Sequence, residues 1–224
     1  TLDVPIAYLP MNSLIISSAN AVLQMFIGAT AAYALSRFRF KGRKLTLMTI
    51  LIVQMFPQLL AATSIFLMLA DLGKSIPFLA LGQTSALIIV FAGGALGINA
   101  WMLKGFYDTI PSEIDESAKV DGASHAQIYF RIILPLARPV LAVITLLSFI
   151  GTMNEFLITS VILGGNQKSL TLAVGMQQYI DGQYNAHWGP FAAGALIASV
   201  PVMILFLYLQ KHVVAGLTAG ANKG

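Results

Sequence analysis

Five long stretches of this chain are almost free of charged side chains, and they limit the folds available to it. Each stretch has roughly 20 residues or more, enough to cross a hydrocarbon core of about 30 Å as an α-helix. Charged residues make up only 10% of the 224, against about 25% in a typical soluble domain. The sequence therefore predicts an all-α integral membrane protein with five spans, at Asn12–Ser36, Leu45–Ala70, Thr84–Phe106, about Leu136–Leu163 and Trp188–Leu209.

Positively charged residues predict the orientation of these spans. Five of the 13 Lys and Arg residues lie between Arg37 and Lys44, directly after the first span. Because Lys and Arg are enriched in cytoplasmic loops, we expect this cluster in the cytoplasm. Alternation of the spans then leaves only Lys74 and Lys168 outside. Thr1 is accordingly predicted to be external, and the tail at 211–224 cytoplasmic.

The longest polar segment, at 111–135, predicts two short helices joined by a turn. The pairs Ser112–Asp115 and Ser124–Gln127 each have the spacing of a capping box, which marks the start of a helix. Between them, Gly122 can take the left-handed conformation that ends a helix. Pro135 is expected to stop the second helix because it lacks an N–H group. The first arm is acidic and the second is apolar.

Three groups of residues in this segment resemble the EAA loop of binding-protein-dependent ABC importer permeases. They are Glu116-Ser117-Ala118, Asp121-Gly122-Ala123 and Ile133-Leu134-Pro135, with Ser117 where the family usually has Ala. The resemblance implies the type I ABC importer permease fold, in which segment 108–135 is a cytoplasmic coupling loop seated in a cleft of an ATP-hydrolysing subunit. The residues to which it gives this coupling role are Glu116, Ser117, Ala118, Asp121, Gly122, Ala123, Leu134 and Pro135.

The resemblance covers nearly the whole chain and narrows to the smaller membrane subunit of the maltose/maltodextrin type. The segments at 170–179 and 216–224 carry this narrower similarity. It implies that the external loop at 164–187 reaches toward the sugar pocket of a docked binding protein, through Gly164, Gly165, Asn166 and Gln167. It also implies that the cytoplasmic tail reaches between two ATP-hydrolysing subunits, through Leu217, Thr218, Gly220 and Lys223.

The external loop also carries local signals. The two glycines followed by Asn166 predict a mobile, extended tip. Four apolar or aromatic residues recur at helical spacing and predict a short amphipathic helix, at Leu172, Met176, Tyr179 and Ile180.

Residues 1–224 are expected to form a single transmembrane domain. Since related permeases usually have six helices with both ends in the cytoplasm, five spans and an external Thr1 lead us to expect one further helix upstream.

Polar and small residues inside the spans are further candidates. Asn154 and Glu155 lie toward the outer end of the fourth span, where a carboxylate is costly unless it is paired or faces water. They are candidate pathway residues, with an interfacial residue bound to a backbone or headgroup partner as the alternative. Gln54 raises the same question, beside Pro57, which predicts a kink. The G-x-x-x-G at Gly93–Gly97 favours close helix packing, with pore lining as the alternative.

Signals for catalysis or cofactor binding are missing from the sequence. The three histidines lie on different segments, and the chain has no cysteine for a thiolate metal site. There is no G-x-x-x-x-G-K-[ST] motif for nucleotide phosphates. We therefore expect no enzyme activity, no catalytic residues, no metal and no cofactor on this chain, with ATP and Mg²⁺ bound by partner subunits.

Together with the resemblance, these features predict a permease subunit of an ABC sugar importer in the cytoplasmic membrane of a prokaryote. The partners that the resemblance implies are a second, larger permease, two ATP-binding subunits and an external sugar-binding protein; membrane lipid is also expected, but no nucleic acid. The sugar stays open between maltose/maltodextrin and another oligosaccharide such as trehalose. A secondary transporter would need ion-coupling carboxylates at mid-membrane, and only Glu155 is available. A membrane-embedded enzyme would need convergent polar groups, which the sequence does not offer.

Overall fold

The computed structural model describes residues 8–180 and 187–221, without the side chains of Gln58 and of residues 212–221. Within those ranges the chain is helical and contains no β-strand. The α-helices, numbered α1 to α12 in chain order, are Tyr8–Arg37, Arg43–Gln54, Gln58–Ser75, Thr84–Ala92, Ile98–Asp108, Ser112–Val120, His125–Ile128, Leu134–Leu136, Arg138–Met153, Leu157–Leu163, Leu172–Gln177 and Trp188–Ala221.

The described helices give three to five candidate spans where five are predicted, and the fourth candidate, at 125–153, overlaps the predicted Leu136–Leu163 only in part. Three helical segments are long and apolar enough to cross a membrane without a sharp bend, at Tyr8–Arg37, Thr84–Asp108 and Trp188–Lys211. Two pairs pass the same test only across a bend, Arg43–Gln54 with Leu59–Ser75 and His125–Leu136 with Arg138–Met153. Counting each pair as one span gives five spans in the described chain. The predicted all-α membrane fold is therefore confirmed.

Several helices extend beyond the spans predicted from hydropathy. Helix α1 begins at Tyr8, and α3 continues to Ser75 through part of the expected connector. Helix α12 continues past Leu209 to Ala221, so the backbone of the predicted tail is helical over that range. These extensions arise because a helix does not have to end where the chain leaves hydrocarbon.

Pro57 interrupts the second span, as predicted. Helix α2 ends at Gln54, and Pro57 has extended backbone angles (φ −60°, ψ 121°) where it precedes α3. A proline inside a helix removes one backbone donor and crowds the preceding turn, so the helix restarts after it. The consequence is an exposed Gln54 at the very end of α2.

The third span is also interrupted, at its glycine-rich segment. Residues Gly93–Leu96 form a 3₁₀ turn between α4 and α5. A Cβ atom on Gly97 would lie 1.7 Å from the Nε2 atom of Gln54, so the Gln54 carboxamide occupies the space a side chain there would need. Around Gly93 no described atom lies within 4 Å of that position. The packing interpretation therefore holds for Gly97, whereas no described residue of this chain packs against Gly93.

Residue contacts divide the chain into two compact units. The first contains the described residues of Thr1–Val22, Phe56–Gly93 and Leu146–Phe206. Its main buried core includes Ile16, Leu69, Leu87, Ile158 and Leu163. The second unit contains Leu23–Met55, Gly94–Thr145 and the described part of Leu207–Gly224. Its core includes Ala29, Leu103, Tyr107, Ile128 and Ile133. The external loop belongs to the first unit, and the polar segment at 111–135 to the second.

We expect Gly73→Ala to destabilise the first unit. A Cβ atom at Gly73 would lie 2.6 Å from the Cα atom of Ala80, and this backbone cannot rotate away as a side chain can. Overpacking of this kind costs about 1–3 kcal/mol. The measurement is the midpoint of heat-induced unfolding of the purified protein. Gly105→Ala is the matched control, because no described atom lies within 4 Å of its Cβ position. Equal midpoints for the two variants would contradict the expectation.

Candidate functional site: the coupling loop and the outer turn

The coupling loop folds as two short helices joined by a tight turn. Helix α6 ends in a Schellman arrangement, in which Ala123 N donates to Ala118 O at 2.9 Å and Gly122 N donates to Lys119 O at 3.0 Å. Gly122 has φ +82°, the left-handed conformation predicted for it. These bonds reverse the chain within a few residues and lead directly into α7.

One of the two predicted capping boxes is confirmed. The Ser124 N–H donates to Gln127 Oε1 at 2.7 Å, and the Gln127 N–H donates to Ser124 Oγ at 3.3 Å. The other box is wrong. Pro111 occupies the N-cap position of α6, and Ser112 is the first helical residue, with no side-chain cap. Asp115 is unavailable for capping because its carboxylate turns into the protein.

Asp115 makes the buried ion pair of this loop. Its Oδ2 atom lies 2.7 Å from Arg37 Nε, with the two side chains 8% and 13% exposed. The Arg37 Nη2 group donates to Ile110 O at 2.9 Å. Neither residue is among the sites predicted from sequence. The spacing of Asp115 and Ala118 marks the inward face of α6, but no local signal identifies a partner in α1.

The outward face of α6 and the turn that follows it, together called the elbow (112–123), carries most of the predicted coupling residues. Glu116, Ser117, Asp121 and Gly122 are exposed, whereas Ala118 is buried and Ala123 is half-buried. Val120 is 88% exposed at the end of α6. An open groove of about 420 Å³ lies between the two arms, lined by Glu113, Ile114, Ser117, Ala118, Asp121 and Ile132. Four of the eight predicted residues are thus exposed together on this face, and Ala118 and Ala123 lie behind them.

Leu134 and Pro135 lie apart from that surface, and Pro135 does not stop the helix. Residues Tyr129–Ile133 form a π-helical turn, and the helix then continues through Leu136. A π-helical turn changes the hydrogen-bond register, which accommodates a proline that has no N–H to donate. The chain bends by 77° only where Ala137 separates this helix from α9.

The predicted binding-protein loop is a compact turn instead of an extended tip. Asn166 is its centre, because its Nδ2 group donates to Gly82 O at 3.1 Å and to Ser169 Oγ at 2.8 Å. Its Oδ1 atom accepts from Lys168 N, which caps a 3₁₀ turn at Gln167–Ser169. The glycines and Gln167 are exposed. The two glycines followed by a polar residue predict an extended conformation, and the side-chain bonds of Asn166 override it.

This turn at 164–169, called the outer turn below, is also bonded to the start of α1. Asn12 Nδ2 donates to the backbone oxygens of Lys168 and Leu170, at 2.8 and 2.9 Å. Ser13 Oγ accepts from Leu172 N at 2.7 Å. Helix α11 follows at Leu172–Gln177, which confirms the predicted short helix, although Tyr179 and Ile180 lie beyond its end.

Asn154 and Glu155 sit where the fourth span is interrupted, and they have different surroundings. Glu155 caps α10, because its Oε1 atom accepts from Ile158 N at 2.8 Å and its Oε2 atom accepts from Thr159 N at 2.9 Å. The backbone-partner interpretation therefore describes Glu155. Asn154 is exposed and lines a cavity of about 670 Å³ between α9, α11 and α12, whose other polar lining residues are Gln177 and Ser199.

The remaining predicted sites have less structural detail. Leu217, Thr218 and Gly220 lie within α12, but their side chains, like Lys223, lie outside the part of the chain that is described. Across the described residues, no three His, Asp or Glu side chains come close enough together to hold a metal ion.

Comparison with known proteins identifies the family. Residues 24–218 match the family described as "Binding-protein-dependent transport system inner membrane component". The chain is 41% identical to the maltodextrin transport system permease protein MdxG of Bacillus subtilis (strain 168), over 95% of this chain and 74% of that protein. It is also 41% identical to the galactooligosaccharides transport system permease protein GanQ of the same organism, over 96% of this chain and 73% of that protein.

A solved structure agrees with these sequence matches. A chain of a bacterial ABC transporter involved in the import of the acidic polysaccharide alginate superposes with a TM-score of 0.74 and 26% identity. The superposition covers 91% of this chain and 74% of that chain. The chain therefore belongs to the family of binding-protein-dependent transport system inner membrane components, as a multi-pass permease subunit of an ABC importer.

Proposed function

We propose that this permease moves a sugar of the maltose/maltodextrin class across a prokaryotic cytoplasmic membrane. The observation that carries the proposal is the identity of 41% to a maltodextrin permease along nearly the entire chain. The proposed assembly adds a second permease, two ATP-binding subunits and an external sugar-binding protein. ATP and Mg²⁺ would be bound by the ATP-binding subunits, since this sequence has no phosphate-binding motif.

The coupling loop is the proposed contact with an ATP-binding subunit. Its elbow offers an exposed acidic residue, Glu116, and an exposed apolar residue, Val120, on a helix whose opposite face is buried. Interfaces combine a desolvated apolar contact with surrounding polar contacts in this way. A loop that is rigid on its inner side can transmit the displacement of a partner as a lever does.

The outer turn is the proposed contact with the binding protein. The exposed residues of the turn are held on a framework of side-chain to backbone bonds centred on Asn166. Asn154 is the proposed pathway residue, because it is exposed and lines the cavity of about 670 Å³ between α9, α11 and α12. Glu155 supports that assignment only indirectly, since both of its carboxylate oxygens are used by α10. This use also argues against an ion-coupled transporter.

A galactooligosaccharide is the second candidate substrate, because the permease GanQ matches this chain at the same 41% identity. The deciding experiment is reconstitution of the purified complex in lipid vesicles, with uptake of labelled α-glucosides and β-galactosides. We expect ATP-dependent uptake of maltose and maltodextrins. Uptake of β-galactosides alone would favour the second candidate, and uptake of neither class would contradict a sugar-import function.

We expect Glu116→Ala to weaken coupling more than Glu113→Ala. An interfacial ion pair that loses one partner costs about 2–5 kcal/mol when buried and much less at a rim. Both glutamates are exposed on α6, so the comparison separates the elbow from the helix start. The measurement is ATP hydrolysis stimulated by the sugar-loaded binding protein. Equal stimulation of ATP hydrolysis in both variants would show that Glu116 has no special role in the contact with the ATP-binding subunit.

The same measurement tests the turn at Gly122. Gly122→Val opposes a left-handed residue by about 1–2 kcal/mol, and we expect it to abolish most of the stimulation by redirecting the second arm. Gly122→Asn is the matched control, because Asn tolerates this conformation and no described atom lies within 4 Å of the Cβ position. Wild-type stimulation in the Val variant would show that the elbow is not the coupling element.

For the outer turn, we expect the double substitution Gln167→Ala and Lys168→Ala to weaken binding-protein docking. Both side chains are exposed, and neither supplies a side-chain bond that shapes the turn. Loss of one or two hydrogen bonds, at about 1 kcal/mol each, predicts roughly a five- to thirtyfold rise in the binding-protein concentration that half-saturates ATP hydrolysis. Lys74→Ala is the external control. If the half-saturating concentration of binding protein does not change, the outer turn does not contact the binding protein through these side chains.

A further inference from the structure

The end of α1 is attached to the coupling loop at several points. Arg37 pairs with Asp115 and donates to Ile110 O, within a buried environment. Ser36 Oγ donates to Asp108 Oδ1 at 2.7 Å. The ring of Phe38 lies edge-on to the ring of His125, with centroids 5.2 Å apart. Three consecutive residues, the last two of α1 and the one that follows it, therefore contact the loop before α6, inside α6 and at the start of α7.

The loop does not require this attachment for its own local shape. The turn is closed by backbone bonds between residues 118–119 and 122–123, and α7 begins with the capping box of Ser124 and Gln127. All of these bonds are local in sequence. The Arg37 contacts are different, because they join the loop to a helix 73 residues away in the chain. Local folding of the elbow and its attachment to α1 are thus separate physical properties.

Arg37 also differs from its neighbours in the cationic cluster that follows the first span. Arg39, Lys41 and Lys44 are exposed. Among the described residues, Arg37 is the member of this cluster that forms an ion pair with a carboxylate. Membrane orientation requires only positive charge on the cytoplasmic side, and exposed cations satisfy that requirement. Burial and pairing of Arg37 therefore need another explanation.

We infer that Arg37 is a positioning residue of transport, which fixes the coupling loop to the end of the first span through Asp115 and Ile110. The inference rests on the proposed coupling role of the loop. A guanidinium group suits this task, since its charge lies against the Asp115 carboxylate while its Nη2 group donates to the Ile110 carbonyl oxygen. Displacement of the loop then moves the end of α1 with it, and ATP hydrolysis stays linked to opening of the pathway.

The test uses the intact complex in lipid vesicles, with sugar imported per ATP hydrolysed as its main measurement. Copurification of the other subunits reports assembly. For the double substitution Arg37→Met and Asp115→Leu, which leaves no unpaired buried charge, we expect normal assembly. We also expect about a tenfold lower ratio of sugar to ATP, which corresponds to ~1.4 kcal/mol of coupling. Arg39→Met, an exposed neighbour in the same cluster, is the control and should keep the wild-type ratio.

Arg37→Lys covers the case in which the double variant does not assemble. Lysine keeps the positive charge beside Asp115 but offers a single nitrogen in place of the planar fork, so we expect assembly with a lowered ratio. A wild-type ratio in whichever of these variants assembles would overturn the inference and leave the pair as packing alone. An equally lowered ratio in Arg39→Met would overturn it too, since the effect would then belong to the charge cluster.

These outcomes are distinct from failure of the proposed function. If the wild-type complex imports no sugar of either class, the proposed function is wrong. If the wild-type complex imports sugar and the Arg37 variants do so with the same ratio, only the positioning role is wrong.

Discussion

Hydrocarbon offers no water to the backbone, so each N–H and C=O group freed where a span is interrupted needs a partner inside the protein. The described chain interrupts three of its spans, at Met55–Pro57, Gly93–Gly97 and Asn154–Phe156. Each interruption is short, and the last is closed by a side chain. Glu155 accepts the free N–H groups at the start of α10, together with the hydroxyl of Thr159. A carboxylate that would be costly in lipid thereby stabilises the interruption, because it accepts hydrogen bonds from groups that would otherwise lack a partner.

Two ion pairs of the described residues differ in burial, and therefore in the free energy that depends on them. Asp71 and Lys74 are 81% and 75% exposed, and a pair of this kind contributes about 0–1 kcal/mol. Arg37 and Asp115 are almost buried, and removing one member of such a pair leaves an uncompensated charge at a cost of about 3–5 kcal/mol. The buried pair need not add much net stability, because both charges were desolvated to form it. The pair disfavours any position of the coupling loop that would separate the two charges, because each charge would then be buried without a partner.

How much of this was predictable depends on the distance in sequence between the interacting groups. The capping box of Ser124 and Gln127, the left-handed Gly122 and the break at Pro57 are all local, and the sequence predicts each of them. The spacing of Asp115 from Ser112 predicts a cap, whereas the partner of Asp115 lies in α1. The local sequence of Asn166 likewise predicts a mobile tip, although Asn166 bonds to Gly82, 84 residues away. Pairings of this kind leave no periodic signal, so they became visible only with the fold.

Helix α1 contributes to both contact-defined units, and it does so with polar side chains at its two ends. Near its start, Asn12 and Ser13 bond the outer turn, and at its end Arg37 bonds the coupling loop. These positions lie at the two ends of the predicted first span, where an exposed polar side chain costs little, so the partners found there need a physical reason. Packing alone could be supplied by apolar residues. Directional contacts instead hold the outer turn on the start of α1 and the coupling loop on its end, the two surfaces proposed to meet other subunits.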